Sequence, residues 1–220
     1  GNGEIAKLAH CFSHKFSNYK IVAFAVDKKY QKSNSFLNLP LVDVEDIAKL
    51  YPPENFDAFI ALSYNKFNLL REQKYLYFKS LSYKLVSFIH PSSVISDDVD
   101  IGENCFILEN QLIQPFSKID NNVTLWSGNH IGHGSIISSH SWISSQVVIS
   151  GNVKIGEKCF LGVNCSLRDN ITVGNDVMIG MGANVTSNIK DGEVVISENS
   201  RIFSQDSKQA SFIKRKFFNM

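Results

Sequence analysis

The chain has 220 residues, of which 44% are hydrophobic, and this is enough for one large domain or two small ones. Its 22 basic and 21 acidic residues leave a formal net charge of +1, so we expect neither nucleic acid nor a membrane as a partner. Four cysteines without a CxxC pair predict reduced thiols, and no signal-peptide pattern or long apolar run is present. These features predict a soluble, cytoplasmic protein.

Residues 1–90 are predicted to form a small α/β domain in which strands and helices alternate. The predicted elements, in chain order, are a helix at 4–17, a strand at 20–26, a helix at 44–50, a strand at 56–62, a helix at 67–79 and a strand at 84–89. This order is typical of βαβ units with a parallel sheet.

The first residues match a turn that holds phosphate groups. Gly1, Asn2 and Gly3 begin a G-x-G-x-x-A pattern, and Asp27 follows at the end of an apolar run, at the spacing of an acid that binds a ribose hydroxyl. The motif alone is weak evidence. It normally follows a strand, so we expect a first strand ahead of Gly1.

Residues 91–190 carry a six-residue repeat, which begins after the His90-Pro91 joint. An aliphatic residue recurs at every sixth position without a break: Ile95, Ile101, Ile107, Ile113, Ile119, Leu125, Ile131, Ile137, Ile143, Ile149, Ile155, Leu161, Leu167, Val173, Ile179 and Val185. A period of six fits neither an α-helix nor an alternating strand, but it is typical of a parallel β-helix.

The positions around each repeated aliphatic residue support this interpretation. Two residues earlier the side chain is small or of modest size, and we expect both positions to point inward. Cys105, Cys159 and Cys165 occur there and are predicted to fill the core. Glycine often follows the aliphatic residue, which suits close backbone approach and unusual backbone angles. Residues 191–220 are predicted to form a tail that is partly helical, with a basic helix at 207–218.

This pattern resembles the bacterial sugar acetyltransferases of the NeuD/PglD family. The resemblance covers nearly the whole chain and implies an α/β Rossmann-like N-terminal domain followed by a left-handed parallel β-helix of hexapeptide repeats. It also implies a homotrimer, with acetyl-coenzyme A (acetyl-CoA) between neighbouring β-helices and no metal cofactor. Family members have a catalytic histidine at a fixed distance before a segment similar to Ser150-Gly151-Asn152-Val153, and counting that distance back from Ser150 indicates His133.

The chemistry of acetyl transfer gives His133 a role as the base that removes a proton from the attacking amine. Gly151 lies three hexads later, and we expect its N–H, one coil above His133, to stabilise the acetyl oxygen or contact pantetheine. In the family an acidic residue often follows the catalytic histidine, whereas Gly134 stands here. Glu109 is a possible substitute.

The hexad register separates the three clustered histidines. His130 is predicted to point outward from a face, while His133 and His140 fall at successive corners, so one chain cannot bring all three to one metal. His130 and His140 are interpreted as solvent-facing or interface groups. Histidines of adjacent chains are an alternative, because γ-class carbonic anhydrases bind zinc in this way. A catalytically silent scaffold is a further alternative.

Position matching to the family implies the remaining site residues. Trp142 replaces a histidine that touches the coenzyme and is expected to pack on pantetheine, unless it is an interface aromatic. The other residues implied for the coenzyme are Val163, Gly180, Met181, Gly182 and Lys190, with Arg201 as an alternative for the phosphates.

The resemblance implies that the N-terminal turn holds a nucleotide-linked sugar. The residues assigned to this substrate are Gly1, Asn2, Gly3, Asp27, Lys28, Ser63, Tyr64 and Asn65, although the last three also fit an ordinary loop. The predicted reaction is N-acetylation of a nucleotide-linked amino-deoxysugar for a surface glycan such as lipopolysaccharide or capsule, or for protein glycosylation. O-acetylation of a sugar hydroxyl is the alternative within the class.

Overall fold

The structure, a computed structural model, describes residues 1–16 and 18–218. Its α-helices are α1 (Glu4–Phe16), α2 (Ile47–Leu50), α3 (Leu69–Ser80) and α4 (Lys208–Phe218). Two short 3-10 helices span Lys28–Tyr30 and Val44–Asp46. The predicted helices are therefore present, although Ser17, the last residue of the first predicted helix, lies outside the described residues. Within the described ranges no helix is long and apolar enough to span a bilayer.

The N-terminal part contains a small sheet of β1 (Phe24–Val26), β2 (Ser35–Phe36) and β3 (Leu39–Asp43). Strand β1 pairs with β3 in parallel, and β2 pairs with β3 antiparallel. The β2–β3 hairpin was not predicted, and the strand predicted at 20–26 is limited to its last three residues. The segments 56–62 and 84–87 form no strands, because their ladder is limited to one parallel bridge between Ala58 and Leu85.

Residues 88–195 form a triangular prism whose three faces are parallel sheets, so the predicted parallel β-helix is confirmed. Face 1 has seven strands: β4 (Phe88–Ile89), β7 (Phe106–Ile107), β10 (Thr124–Leu125), β13 (Trp142–Ile143), β16 (Phe160–Leu161), β19 (Met178–Ile179) and β21 (Val194–Val195). Because β4 and β21 join this sheet, the prism extends beyond the predicted range 91–190 at both ends.

The other two faces follow face 1 in every coil, and each coil contains three hexads. Face 2 contains β5 (Val94–Ile95), β8 (Leu112–Ile113), β11 (His130–Ile131), β14 (Val148–Ile149), β17 (Ser166–Leu167) and β20 (Asn184–Val185). Face 3 contains β6 (Asp100–Ile101), β9 (Lys118–Ile119), β12 (Ile136–Ile137), β15 (Lys154–Ile155) and β18 (Thr172–Val173). We name the corners by the faces that they join: corner 1–2, corner 2–3 and corner 3–1.

The repeated aliphatic side chains all point into the prism, as the register predicted. They are buried from Ile107 to Val185, and the two in the first coil are partly buried. The residues two positions earlier share this core. Burial raises the pKa of the Cys105 and Cys159 thiols to about 11, which confirms these cysteines as core residues.

Glycine after the aliphatic residue lets the backbones of successive coils approach closely, and it is not needed for an unusual backbone angle. A Cβ added to Gly132 would lie 2.5 Å from the carbonyl carbon of Ser150 in the next coil, and the φ angle of Gly132 is ordinary. Within the prism, positive φ angles occur instead at the second residue of the corner turns from Asn104 to Gly182. Asparagine recurs there, for example at Asn104, Asn122 and Asn152, because it tolerates the left-handed region better than most residues.

The N-terminal domain covers face 1 from β4 to β16, whereas Met178 of β19 and Val194 of β21 are exposed. Ala9 of α1 packs in one cluster with Phe88, Phe106 and Leu108 of the prism. Further along the same face, α3 and the loop before it contact the strands β10, β13 and β16. The strands of faces 2 and 3 form no side-chain hydrogen bond or ion pair with residues 1–16 and 18–87.

We expect Ile143→Ala to lower the free energy of unfolding by about 2–5 kcal/mol, because it removes buried methyl groups and leaves a cavity. Ile143 is fully buried. The matched control is Ile196→Ala, which changes a side chain that is 76% exposed and should shift stability by less than about 0.5 kcal/mol. Urea denaturation at one protein concentration measures both values, and equal shifts would contradict the inward register.

Candidate functional site

His133 lies at corner 2–3, where its side chain is exposed to solvent. Its imidazole covers Gly151 in the next coil, since a Cβ added to Gly151 would lie 2.5 Å from Nε2 of His133. The His133 N–H donates to Oε1 of Gln114 at 3.0 Å, and the Asn152 N–H donates to the His133 carbonyl at 2.8 Å. The main chain therefore fixes this corner while the ring stays accessible.

The prediction that Gly151 lies one coil above His133 is consistent with this arrangement, and only glycine leaves room for the imidazole there. The Gly151 N–H has no hydrogen-bond acceptor among the residues that the structure describes. Nor does any described side chain form a hydrogen bond with the ring nitrogens of His133. An exposed base and a free backbone donor thus lie side by side at one corner.

Glu109 does not lie next to His133 in the same chain. It is at corner 1–2, where its Oε2 accepts a hydrogen bond of 2.7 Å from the hydroxyl of Ser127. The whole of face 2, including β8, separates corner 1–2 from corner 2–3. Within one chain, Glu109 therefore cannot replace the acidic residue that often follows the catalytic histidine in the family and is Gly134 here.

The other two histidines differ in their surroundings. His130 is half-buried on face 2 between Leu112 and Val148, as predicted for an outward position. His140 is buried at corner 3–1 at the interface between the two domains, so the second of its two interpretations, an interface group, is the correct one. Its Nδ1 lies 2.8 Å from Nδ2 of Asn122, and the ring of Tyr75 packs edge-on against it. Across residues 1–16 and 18–218, no group of three His, Cys, Asp or Glu side chains is arranged to hold a metal.

Trp142 is not available to a coenzyme in this chain. Its side chain is on face 1 beneath the N-terminal domain and is only 3% exposed. Its ring stacks on Trp126 at 5.5 Å and meets Tyr64 edge-on at 5.1 Å. The alternative interpretation, an interface aromatic, is therefore the correct one, and the interface is the one between the two domains.

Arg71 of α3 is a central residue of this domain interface, and no pattern in the sequence indicated it. The fully buried guanidinium donates to the carbonyls of Asn122, His140 and Ser141, and also to Oδ1 of Asn68. It lies over the ring of Trp142 at 5.7 Å. Burial lowers the pKa of Arg71 to about 9. Neutral acceptors of the prism thus hold a cation from the N-terminal domain.

The residues assigned to the coenzyme divide between corners. Corner 1–2 carries Val163, Met181 and Gly182, which are exposed. Gly180, directly after β19, comes just before Met181. Gly151 is at corner 2–3. Lys190 is exposed near corner 3–1, where its N–H donates to Oε2 of Glu193, and Arg201 is exposed in the tail. One chain does not bring these residues together.

The residues assigned to the nucleotide sugar meet at the start of α1. The Gly3 carbonyl accepts the first helical hydrogen bond, from the Lys7 N–H, and Gly1 donates to the Ala25 carbonyl at 2.7 Å. A cavity of about 640 Å³ opens there, and its polar lining includes Gly1–Gly3, Asp27, Asn65 and Lys74. The rest of its lining is mostly apolar side chains of the N-terminal core.

The structure adds detail to the substrate assignments of Asp27, Lys28, Ser63, Tyr64 and Asn65. Asp27 forms an ion pair with Lys74 of α3, a residue that the sequence did not indicate. Lys28 points its amino group at Oε1 of Gln31 and does not line the cavity. Tyr64 packs against Trp142 and Phe160 and therefore belongs to the domain interface. Asn65 lines the cavity, but Ser63 does not.

Comparison with known proteins adds independent findings. The family model for the bacterial transferase hexapeptide (six repeats) matches residues 152–187. No curated protein matches the chain in sequence. The acetyltransferase domain of PglB from Neisseria gonorrhoeae FA1090, in complex with acetyl-CoA, is similar in structure, with a TM-score of 0.81 and 25% identity over 92% of this chain and 96% of that one.

PerB from Caulobacter crescentus, in complex with CoA and GDP-perosamine, is also similar, with a TM-score of 0.76 and 25% identity over 93% of this chain and 95% of PerB. WeeI from Acinetobacter baumannii AYE shares the fold at 19% identity, over 91% of this chain and 93% of WeeI, with a TM-score of 0.57. The chain is thus a hexapeptide-repeat protein of the acyltransferase class. The resemblance to the NeuD/PglD-type sugar acetyltransferases is confirmed.

We expect the buried His140 to make the fold sensitive to acid. Burial, reinforced by the charges of Arg71 and Lys158, lowers the pKa of His140 to about 4. The unfolded chain then binds a proton more readily than the native chain, so this group's contribution to stability is lost as the pH falls from about 6.5 to about 4.

The matched variant is His140→Asn, because asparagine already occupies the equivalent corner positions 104 and 122 with similar φ angles. The difference in unfolding free energy between wild type and variant should change with pH over this interval and level off above pH 7. A difference that is constant from pH 4 to pH 7 would show that His140 does not titrate differently in the native state.

Proposed function

We propose that this protein is an acetyl-CoA-dependent N-acetyltransferase that acts on a nucleotide-linked amino-deoxysugar, as a homotrimer with a left-handed β-helix and a Rossmann-like N-terminal domain. The observation that carries the proposal is the exposed imidazole of His133 directly over Gly151, whose N–H is free. PerB, which is similar in structure, is described with CoA and GDP-perosamine, and the PglB domain with acetyl-CoA.

The pair at corner 2–3 supplies the two functions that acetyl transfer needs. His133 accepts the proton that leaves the attacking amine as the new carbon–nitrogen bond forms. The Gly151 N–H donates a hydrogen bond to the thioester oxygen, which becomes negatively charged in the tetrahedral intermediate. When the intermediate collapses, the carbon–sulfur bond breaks, and the imidazolium returns its proton to the CoA thiolate.

The substrate domain and His133 of one chain are on opposite sides of the prism. The N-terminal domain covers most of face 1, and corner 2–3 is the one corner that does not border that face. A sugar held at the N-terminal turn would have to reach around the prism to meet this imidazole. We therefore propose that each active site combines His133 of one chain with the N-terminal domain of another.

The surface of the prism indicates which face lies at the centre of such a trimer. The outward residues of face 2 include Val94, Leu112 and Val148, all exposed and apolar, whereas face 3 presents Lys118 and Lys154. A ring that buries face 2 around a three-fold axis places corner 2–3 of each chain against corner 1–2 of the next.

This ring would reunite the residues that one chain keeps apart. Corner 1–2 carries Val163, Met181 and Gly182, which would then line the coenzyme groove opposite His133 and Gly151. It also carries Glu109. The hydrogen bond to Ser127 directs this carboxylate toward the next coil of its own chain. Ser127 precedes His133 by one hexad, which is a rise of about 1.6 Å along the prism axis. We propose that Glu109 of the neighbouring chain orients His133.

In the N-terminal domain, we propose that the turn at Gly1–Gly3 holds the nucleotide phosphates at the start of α1, next to Asp27 and Asn65. Lys74 gives the cavity a cation that can move from Asp27 to a phosphate group when the nucleotide binds. The assignment of the product to lipopolysaccharide, capsule or protein glycosylation, and of the enzyme to the cytoplasm, follows the family and is proposed on that basis.

O-acetylation remains the second candidate, because the same pair of groups serves an alcohol. It demands more of the base, since a hydroxyl loses its proton less readily than an attacking amine. The amine is the better match, because the structurally similar PerB is described in complex with GDP-perosamine, a nucleotide-linked aminosugar. Thiol release from acetyl-CoA with a panel of nucleotide aminosugars, and with sugars lacking the amine, separates the two.

We expect His133→Ala to lower turnover by about 10²- to 10⁴-fold with the oligomer intact. The reason is that the variant removes the exposed base beside Gly151. The control is His14→Ala, which changes an exposed histidine of α1 away from corner 2–3 and face 2 and should leave turnover within a few-fold of wild type. Turnover of His133→Ala near the wild-type value would refute the assignment of the base.

A mixing experiment tests whether sites are shared between chains. One partner carries His133→Ala, and the other carries Asp27→Ala with Lys74→Ala in the substrate cavity. Each variant alone should be inactive. Random co-assembly by co-expression should restore about a quarter of wild-type activity, because one site in four pairs an intact His133 with an intact N-terminal domain of the next chain. Sites built within single chains would give no recovery.

A further inference from the structure

The C-terminal helix α4 is an amphipathic segment that the proposed acetyltransferase does not use. Ser207 caps it, since its hydroxyl accepts a hydrogen bond of 3.1 Å from the Ala210 N–H. Of the residues 208–217, every one except Ala210 is exposed. No hydrogen bond or ion pair joins a side chain of this stretch to the described remainder of the protein.

One side of α4 is apolar. Ala210, Ile213 and Phe217 share a helical face at the spacing i, i+3, i+7, whereas Phe212 lies about 100° round the helix from Ile213, beyond Lys216. Phe212 is 62% exposed, Ile213 39% and Phe217 71%. Two exposed phenylalanines and an isoleucine in one short helix are unusual for a surface in contact with water only. An isolated helix of this length is also only marginally stable in water, so a partner surface would stabilise it.

The charges of α4 identify the chemistry of that partner. The helix contains Lys208, Lys214, Arg215 and Lys216 and no acidic residue. It thus holds four of the 22 basic residues and none of the 21 acidic ones, although the chain as a whole is nearly neutral. Basic side chains beside an exposed Phe/Ile face are typical of helices that lie in the interface of an anionic bilayer.

The position of α4 also suits a flat surface. The helix follows β21, the last strand of the prism, through residues 196–207, so it emerges at one end of the β-helix. Exposed apolar side chains occur at the same end, at Val194, Ile196 and Met181, and Ile202 in the connecting segment is 95% exposed. This end of the prism presents apolar groups and cations together.

We propose that α4 binds the surface of an anionic phospholipid bilayer, with Ile213 and Phe217 inserted among the acyl chains and Phe212 and the four cations at the level of the headgroups. This inference revises the expectation of no membrane partner, which rested on the overall charge of +1 and did not consider how that charge is distributed. Several copies of the helix in one oligomer would increase the binding through avidity. The proposal is independent of the acetyl-transfer reaction.

The test is cosedimentation of the full-length protein with vesicles of phosphatidylcholine alone, or of two parts phosphatidylcholine to one part phosphatidylglycerol. We expect binding to the anionic vesicles and at least about 10-fold weaker binding to the neutral ones, with loss of binding at high salt. Two variants remove the two parts of the surface: Lys214→Gln with Arg215→Gln and Lys216→Gln, and Ile213→Ser with Phe217→Ser. Each should reduce binding to anionic vesicles by at least about 10-fold.

The matched control replaces three exposed lysines elsewhere, Lys15, Lys84 and Lys154, by glutamine and should bind as wild type. Failure of the wild type to bind anionic vesicles would overturn the proposal, as would equal loss in the control. The proposal would also be overturned if the wild type did not bind vesicles and the α4 variants had a different oligomeric mass. That result would identify another copy of the chain as the partner of α4. Thiol release from acetyl-CoA is measured separately, so failure of either proposal is distinguishable from failure of the other.

Discussion

The stacking of one aliphatic side chain per hexad along the interior of the prism is the constraint on which the rest of the structure depends. Because each strand has only two residues, one side chain points inward and the other outward, and a shift by one residue would expose the whole core. The register therefore fixes the direction of every side chain on the surface. It places His133 at a corner, His130 outward on face 2 and Trp142 outward on face 1.

The second constraint is the attachment of the N-terminal domain to face 1. Arg71 packs against the surface of the prism, and its charge is compensated by carbonyl oxygens and amide groups rather than by a carboxylate. Such a cation is stable only while these acceptors stay in place, since a buried guanidinium without partners is costly. Most of face 1 is thus covered by the N-terminal domain of the same chain. A site that is open to solvent or shared with a second chain must lie on the other faces and corners.

The sequence predicted the β-helix well because its periodicity is local and repeats in every coil. It also located the corner of His133, since counting hexads is equivalent to counting around the prism. It predicted the N-terminal domain less well. The segment 56–62 has the composition of a strand, yet it forms a single bridge, because pairing depends on a neighbour that the composition of one segment cannot reveal. The sequence left two interpretations open for His140 and for Trp142, because the register shows which way these side chains point, but not that another domain covers them.

The turn that carries His133 also explains why the base has no acid beside it in its own chain. Residue 134 has a φ of +66°, in the left-handed region that glycine adopts without strain. A Cβ there would lie 2.5 Å from Oδ1 of Asn152, so a carboxylate side chain would meet a partly negative oxygen of the next coil. An acid at position 134 would therefore require the amide of Asn152 to move. The carboxylate that we propose for His133 comes instead from corner 1–2, where Ser127 holds the side chain of Glu109 toward the next coil.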